Sequence, residues 1–186
     1  VGAGNNGKND NGSYSKNRTG SNCWFKHNHD NIFKTIAEKI ANNVGHPIEN
    51  AEEFQIVHYN EGEEFKSHCD GWQQDGSSEH FYNFRNGGNR LLTALVYLNN
   101  VEEGGGTKMT KLNYEIKAEQ GKLLVFEDCY KNSNNLHPLS EHCGMPVIKG
   151  EKFAFNLWFK ECPFHDNYED FKPGYFSKWK DPLKEM

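Results

Sequence analysis

Positive charge is in short supply in this chain: 21 Lys and Arg stand against 26 Asp and Glu, giving a net charge of -5 and a pI near 6.0. Neutralising phosphates takes a basic face, so the composition argues against a nucleic-acid partner. Long apolar runs are also missing. No stretch approaches the roughly 20 residues of a membrane-spanning helix. The chain opens at Val1 on Gly and Asn rather than on the apolar core of a secretory leader. The expectation is a soluble chain without a membrane segment, in the cytoplasm or the ER lumen. Five cysteines at 23, 69, 129, 143 and 162 lack Cys-x-x-Cys spacing, which points away from a zinc knuckle and from a dense disulfide framework. Internal repeats are absent as well.

What is present fits one domain over residues 1–186. Residues 1–20 are rich in Gly, Asn and Ser and read as a flexible arm. From Asp30 to Val44 the apolar residues Ile32, Phe33, Ile36, Ala37, Ile40 and Val44 recur at helical spacing. Asp30 or Asn31 serves as a cap, with Gly45 and Pro47 as stops. Beyond it the period shortens, and EEFQIVHY, EFKSHCD, RLLTALVYLNN, KLLVFED and EKFAFNLWFK read as strands divided by Gly, Asn and Asp clusters. One helix followed by many strands predicts a mainly β protein with a packed helix, a sandwich or barrel.

Side chains alternate across a strand. In the last run Lys152, Ala154, Asn156 and Trp158 therefore share one face, and Phe153, Phe155, Leu157 and Phe159 the other. The first face either meets solvent or lines a pocket where Lys152 receives an anion. The stretch YNEGEEFKSHCDGW poses a similar choice. On a strand, His68 and Asp70 would point the same way and Cys69 away. An imidazole and a carboxylate so placed could belong to a 2-His-1-carboxylate facial triad for Fe(II), with positions left for substrate and oxygen. A His-x-Asp also occurs in ordinary surface turns. His137 and His142 compete for the third place.

Three segments, YNEGEEFKSHCD, RLLTALVYLNNVEEGGGT and HCGMPVIKGEKFAFNLW, together resemble the catalytic core of the 2-oxoglutarate and Fe(II)-dependent prolyl 4-hydroxylases. RTGSNCWF resembles that family's RTS opening, so the likeness runs from about Arg18 to Trp158. It implies a double-stranded β-helix, a jelly-roll or cupin-like barrel, with the helix against its major sheet. In the family the distal His precedes the cosubstrate Lys by ten residues, as His142 precedes Lys152, so the resemblance selects His142 over His137. By the same resemblance His68, Asp70 and His142 hold Fe(II), and Lys152 pairs with the far carboxylate of 2-oxoglutarate. Tyr59 and Thr107 lie beside that cosubstrate. Arg90, Trp158 and Tyr82 face the peptide, and residues 71–89 form a lid over it.

The implied reaction hydroxylates a prolyl residue of a proline-rich or collagen-like peptide, consuming O2 and 2-oxoglutarate, releasing succinate and CO2, and using ascorbate. Asp70 favours hydroxylation, since halogenating relatives leave that position empty for chloride. The segment KMTKL departs from the aromatic and proline that usually follow GG.T in the family. Two other readings stay open: a hydroxylase with the same iron site acting on another amino acid or side chain, and a non-catalytic barrel that binds peptide or metal.

Overall fold

A computed structural model describes residues 17–73, 87–131 and 133–163. Most of the expected arm, residues 1–16, and the lid residues 74–86, Tyr82 among them, lie outside that range. The end of the arm is anchored: Arg18 bridges to Phe65, and Thr19 exchanges hydrogen bonds with Glu64.

Helix α1 spans Asn31–Val44. Asp30 caps it, its carboxylate accepting from the Ile32 and Phe33 N–H groups at 2.8 and 3.1 Å, and Gly45 ends it in the left-handed region at φ +71°. Its apolar stripe buries Ala37, Ile40 and Ala41.

Eleven strands lie among the described residues: β1 Ser21–Phe25, β2 Phe54–Tyr59, β3 Phe65–His68, β4 Arg90–Tyr97, β5 Glu103–Gly104, β6 Thr107–Met109, β7 Tyr114–Ile116, β8 Leu123–Glu127, β9 His142–Gly144, β10 Val147–Lys149 and β11 Lys152–Lys160. The major sheet runs β1-β2-β11-β4-β8, the minor sheet β3-β9-β6-β7, and β10 pairs with β5. All pairings are antiparallel, and the chain passes repeatedly from one sheet to the other. This is the jelly-roll expected from the sequence.

Two apolar clusters lie on opposite faces of the major sheet. On the outer face Phe155, Leu157 and Phe159 of β11 pack with Phe54, Leu92 and Ala94 beneath α1. Leu157 is fully buried there, so Leu157→Ala would cost roughly 2–5 kcal/mol. Phe153, expected under the helix too, stacks instead on His58 at 4.3 Å, because it lies at the start of β11 beyond the reach of α1. Between the sheets lie Val57, Tyr59, Leu95, Tyr97 and Ala154, with Phe65, Ile116 and Val147 from the opposite side. Alternation along β11 thus sends one set of side chains to the helix and the other into the cleft.

Candidate metal centre

His68 closes β3 and His142 opens β9, and the two are direct register partners across that antiparallel pair. Cross-strand neighbours on one face stand close enough for side chains to meet, so strand pairing brings the two imidazoles together. Their ring centroids are 4.3 Å apart. Asp70 arrives differently. Strand alternation does not place it, because β3 ends at His68 and Asp70 sits in the bend that follows. Pairing stops there because His142 is the first residue of β9 and offers no further partner. Asp70 Oδ1 then lies 3.4 Å from His68 Nε2, and Oδ2 3.7 Å from His142 Nε2. One ligand atom from each residue falls within 4.8 Å of the others, and no ion is included in the structure.

Each histidine is fixed through its other nitrogen. His68 Nδ1 is 2.7 Å from the Lys66 carbonyl and His142 Nδ1 2.8 Å from the Ser140 carbonyl. A carbonyl can only accept, so both Nδ1 atoms carry hydrogen and both Nε2 atoms face the cluster, the usual support for a metal-bound imidazole. Phe65 stacks on His68 at 3.6 Å, and Phe126 packs edge-on to His142 at 4.8 Å. Burial would raise the Asp70 carboxyl, but His142, His68 and Arg90 outweigh it and hold the group ionised, far below the usual carboxylate range. Burial lowers His142, against the pull of Asp70. Two imidazoles and one carboxylate are the donor set that suits Fe(II) while leaving positions open. His137 stands apart: its Nδ1 accepts from Leu139 N–H as the cap of the short turn Pro138–Ser140, and its ring packs on Tyr130.

Lys152 lines the same cleft together with Tyr59, Thr107 and the three metal-site residues. It is 3% exposed, and burial pushes its ammonium down to about 8. Among the described residues it has neither an ion pair nor a hydrogen bond, only the rings of Tyr97 and Tyr59 at 5.3 and 5.6 Å. A buried ammonium without a carboxylate is a costly arrangement that a bound anion would relieve. Tyr59 faces Lys152 across the β2–β11 pair. Its ring leaves no room for a side chain at residue 20, since a Cβ on Gly20 would come within 2.3 Å of it. Thr107, 1% exposed, accepts from the Tyr97 hydroxyl at 2.7 Å. The glycines before Thr107 serve the backbone: Gly104 and Gly105 have φ of +74° and +65°.

At the other end of the cleft Arg90 donates to both oxygens of Glu52 at 2.7 Å and lies 3.6 Å over the Trp158 ring. Trp158 is buried, and its indole N–H has no acceptor among the described residues. Asn89 ties the two ends of the expected lid together, its side-chain amide donating to the Trp72 carbonyl and its oxygen accepting from Trp72 N–H, each at 2.9 Å. The sequence reading passed over Thr93, Tyr97 and Asp128, all of which pack around the centre. Thr93, Leu95 and Tyr97 alternate along β4, and that parity was the available signal.

The jelly-roll thus encloses between its two sheets a His, Asp, His cluster that could hold a metal ion, with a buried lysine beside it. Residues 54–160 match the sequence family described as the 2OG-Fe(II) oxygenase superfamily, and the chain belongs to it. Fe(II) and 2-oxoglutarate are the cofactor and cosubstrate of that family, and the residues present fit both. A relative from Acanthamoeba polyphaga mimivirus, named "Putative prolyl 4-hydroxylase", is 39% identical over 147 residues, 79% of this chain and 60% of that protein. "Probable prolyl 4-hydroxylase 3" of Arabidopsis thaliana is 31% identical over 160 residues, 76% of this chain and 53% of that protein. The chain therefore spans little more than half the length of these relatives. Among solved structures, the viral collagen prolyl hydroxylase of Paramecium Bursaria Chlorella virus-1, in a 2OG complex, superposes with a TM-score of 0.66 at 27% identity, covering 77% of this chain and 79% of that one. No helix of the described residues is long and apolar enough to cross a membrane.

Proposed function

We propose that this chain is the catalytic domain of a prolyl 4-hydroxylase acting on an extended, proline-rich or collagen-like peptide. One observation carries the reading: a metal-ligand triad and a lone buried lysine share one cleft between two sheets. Likeness to relatives named as prolyl 4-hydroxylases supplies the substrate class.

His68, Asp70 and His142 would hold Fe(II), which when bound supplies the activation of O2 and the oxidative decarboxylation of 2-oxoglutarate. In the balanced reaction one oxygen atom enters the prolyl C–H bond and the other enters succinate, with CO2 released. Lys152 would fix the far carboxylate of 2-oxoglutarate by a charge-assisted hydrogen bond, strengthened by the dry surroundings of the cleft. Tyr59, Tyr97 and Thr107 wall that end and exclude water. On the peptide side the row Lys152, Ala154, Asn156 continues to Trp158, whose buried indole N–H suits a peptide carbonyl. Arg90, held flat on that ring by Glu52, fixes the indole's angle. Ascorbate is the reductant we assign to keep the iron in the Fe(II) state.

The test is turnover of 2-oxoglutarate to succinate with Fe(II), ascorbate and a panel of proline-containing peptides, followed by mass spectrometry of each peptide. The reading predicts succinate coupled to the gain of one oxygen on proline, lost in His142→Ala and kept in His137→Ala. Succinate without peptide oxidation would move the substrate to another amino acid or side chain. Bound iron without succinate would leave only a binding barrel.

A further inference from the structure

We propose that Thr93 and Asp128 are positioning residues for the metal-binding carboxylate: Asp128, carried as a neutral carboxylic acid, donates to Thr93 Oγ1, and Thr93 donates its single hydroxyl proton to Asp70 Oδ2. Oδ1 of Asp70 is left as the oxygen presented to the metal. The proposal rests on the reading of His68, Asp70 and His142 as metal ligands.

The argument is a count of protons. Thr93 Oγ1 lies 2.8 Å from Asp70 Oδ2 and 2.7 Å from Asp128 Oδ2. A threonine hydroxyl has one hydrogen to donate and lone pairs to accept with. Were both acids ionised, one of these two contacts would set a bare hydroxyl lone pair against an anionic oxygen, and two negative charges would share a site closed to water. One proton on an acid resolves both conflicts.

The surroundings decide which acid carries it. Asp70 has His68, His142 and the Arg90 guanidinium close by. Asp128 is 0% exposed, makes no ion pair among the described residues, and its Oδ1 has no hydrogen-bond partner. In agreement, burial and then the charge of Asp70 push the Asp128 carboxyl well above its ordinary range.

The backbone of Asp128 is held as firmly as its side chain. Its N–H donates to the Leu91 carbonyl at 2.8 Å, while its carbonyl accepts from His137 N–H at 2.8 Å and from the Ser140 hydroxyl at 3.4 Å. Ser140 in turn offers its carbonyl to His142 Nδ1. Asp128 therefore steadies two of the three ligands, Asp70 through its carboxyl and His142 through its main chain. Because Thr93 stands on β4 of the major sheet, the relay also ties the minor-sheet ligands to the opposite wall of the cleft.

Two measurements on the metal-free chain test this without peptide turnover. The first is infrared spectroscopy in neutral buffer, where the protein should show the carbonyl stretch of a protonated carboxylic acid that Asp128→Asn removes. The second is Co(II) titration followed by visible absorption. Thr93→Val should weaken Co(II) binding about 10–100-fold, whereas Thr93→Ser, which keeps the hydroxyl, and Asp128→Asn, whose amide can donate the same hydrogen bond, should stay close to the unaltered protein. A missing carboxylic-acid band, or Co(II) binding by Thr93→Val equal to that of the unaltered protein, overturns the relay. Should Thr93→Val fail to fold, a Thr93→Ser variant that binds Co(II) as weakly as His142→Ala does the same. If the unaltered protein binds no Co(II), or binds it equally well as His142→Ala, the ligand assignment itself fails, an outcome distinct from the others.

Discussion

β11 carries a buried lysine at each end, Lys152 at 3% exposure and Lys160 at 2%, and burial lowers both to about 8. Their company differs. Lys160 stands 3.9 Å from the Glu52 carboxylate, which also binds Arg90, and 5.1 Å from the Trp72 ring. Lys152 has two tyrosine rings and, among the described residues, no carboxylate. Removing an ammonium from water costs several kcal/mol unless a counter-charge is at hand. At Lys160 the fold supplies that charge. At Lys152 it does not, which is the arrangement expected where the counter-ion comes from solution. Two residues with the same exposure and the same depressed basicity are thus told apart by their neighbours alone.

Four perturbations would sharpen or break this contrast. The largest effect belongs to Glu52→Gln, which strips the carboxylate shared by Arg90 and Lys160 and leaves two buried cations facing each other. Denaturant unfolding should show a loss of about 3–5 kcal/mol, and an unchanged midpoint would show that Glu52 is not the counter-charge.

Next comes Lys152→Met. It should stabilise the ligand-free protein by about 3 kcal/mol, the penalty of holding that ammonium at about 8 rather than 10.5. It should also weaken 2-oxoglutarate binding roughly 10–100-fold, the weight of a charge-assisted contact. Calorimetry reads both, and a variant that is less stable and binds normally would refute the assignment.

The third perturbation is pH. Lys152 is a base whose folded value lies below its unfolded value, so between about 8 and 10.5 the unfolded chain binds the extra proton and this residue's share of stability rises with pH. Binding of 2-oxoglutarate has the opposite trend, since it needs the ammonium. Affinity should be level below about 8 and then fall by up to about tenfold per pH unit. A Lys152→Met variant should lose this dependence, and persistence of the slope there would place the titrating group elsewhere. Smallest in its effect on binding is Lys160→Met, which should leave 2-oxoglutarate affinity intact, since Glu52 already faces this ammonium. A large loss of that affinity would erase the distinction between the two lysines.

Much of the architecture was legible because its signals are periodic. Alternation along Lys152–Lys160 set Phe155, Leu157 and Phe159 on the face opposite Lys152, and the structure puts the three under the helix and Lys152 in the cleft, where alternation alone left solvent or pocket open. Helical spacing and Asp30 located α1 to within a residue. The short strands β5, β6, β7, β9 and β10 were invisible, because two or three residues carry too little pattern. The triad was legible only in part. His-x-Asp suggested it, yet what brings His68 opposite His142 is the β3–β9 register, a long-range pairing that local spacing does not encode. Asp70 was expected from strand alternation and instead reaches the cluster from a bend. Thr93 and Asp128 went unread because a buried hydroxyl or carboxyl becomes informative only when its neighbours are known.

That β3–β9 register has a further consequence for the protein in a cell. On the proposed ligand assignment His142 lies far along the chain from His68 and Asp70 and meets them only when the two strands pair, so an unfolded molecule offers no comparable site. An ion that binds the folded form alone adds its binding free energy to the folding equilibrium, about 2.7 kcal/mol when free metal stands at 100 times its Kd. If the proposed ligands bind iron, its supply would bear on the survival of the protein as well as on the proposed catalysis: iron-starved cells would hold a pool that unfolds more readily and is cleared sooner by proteases.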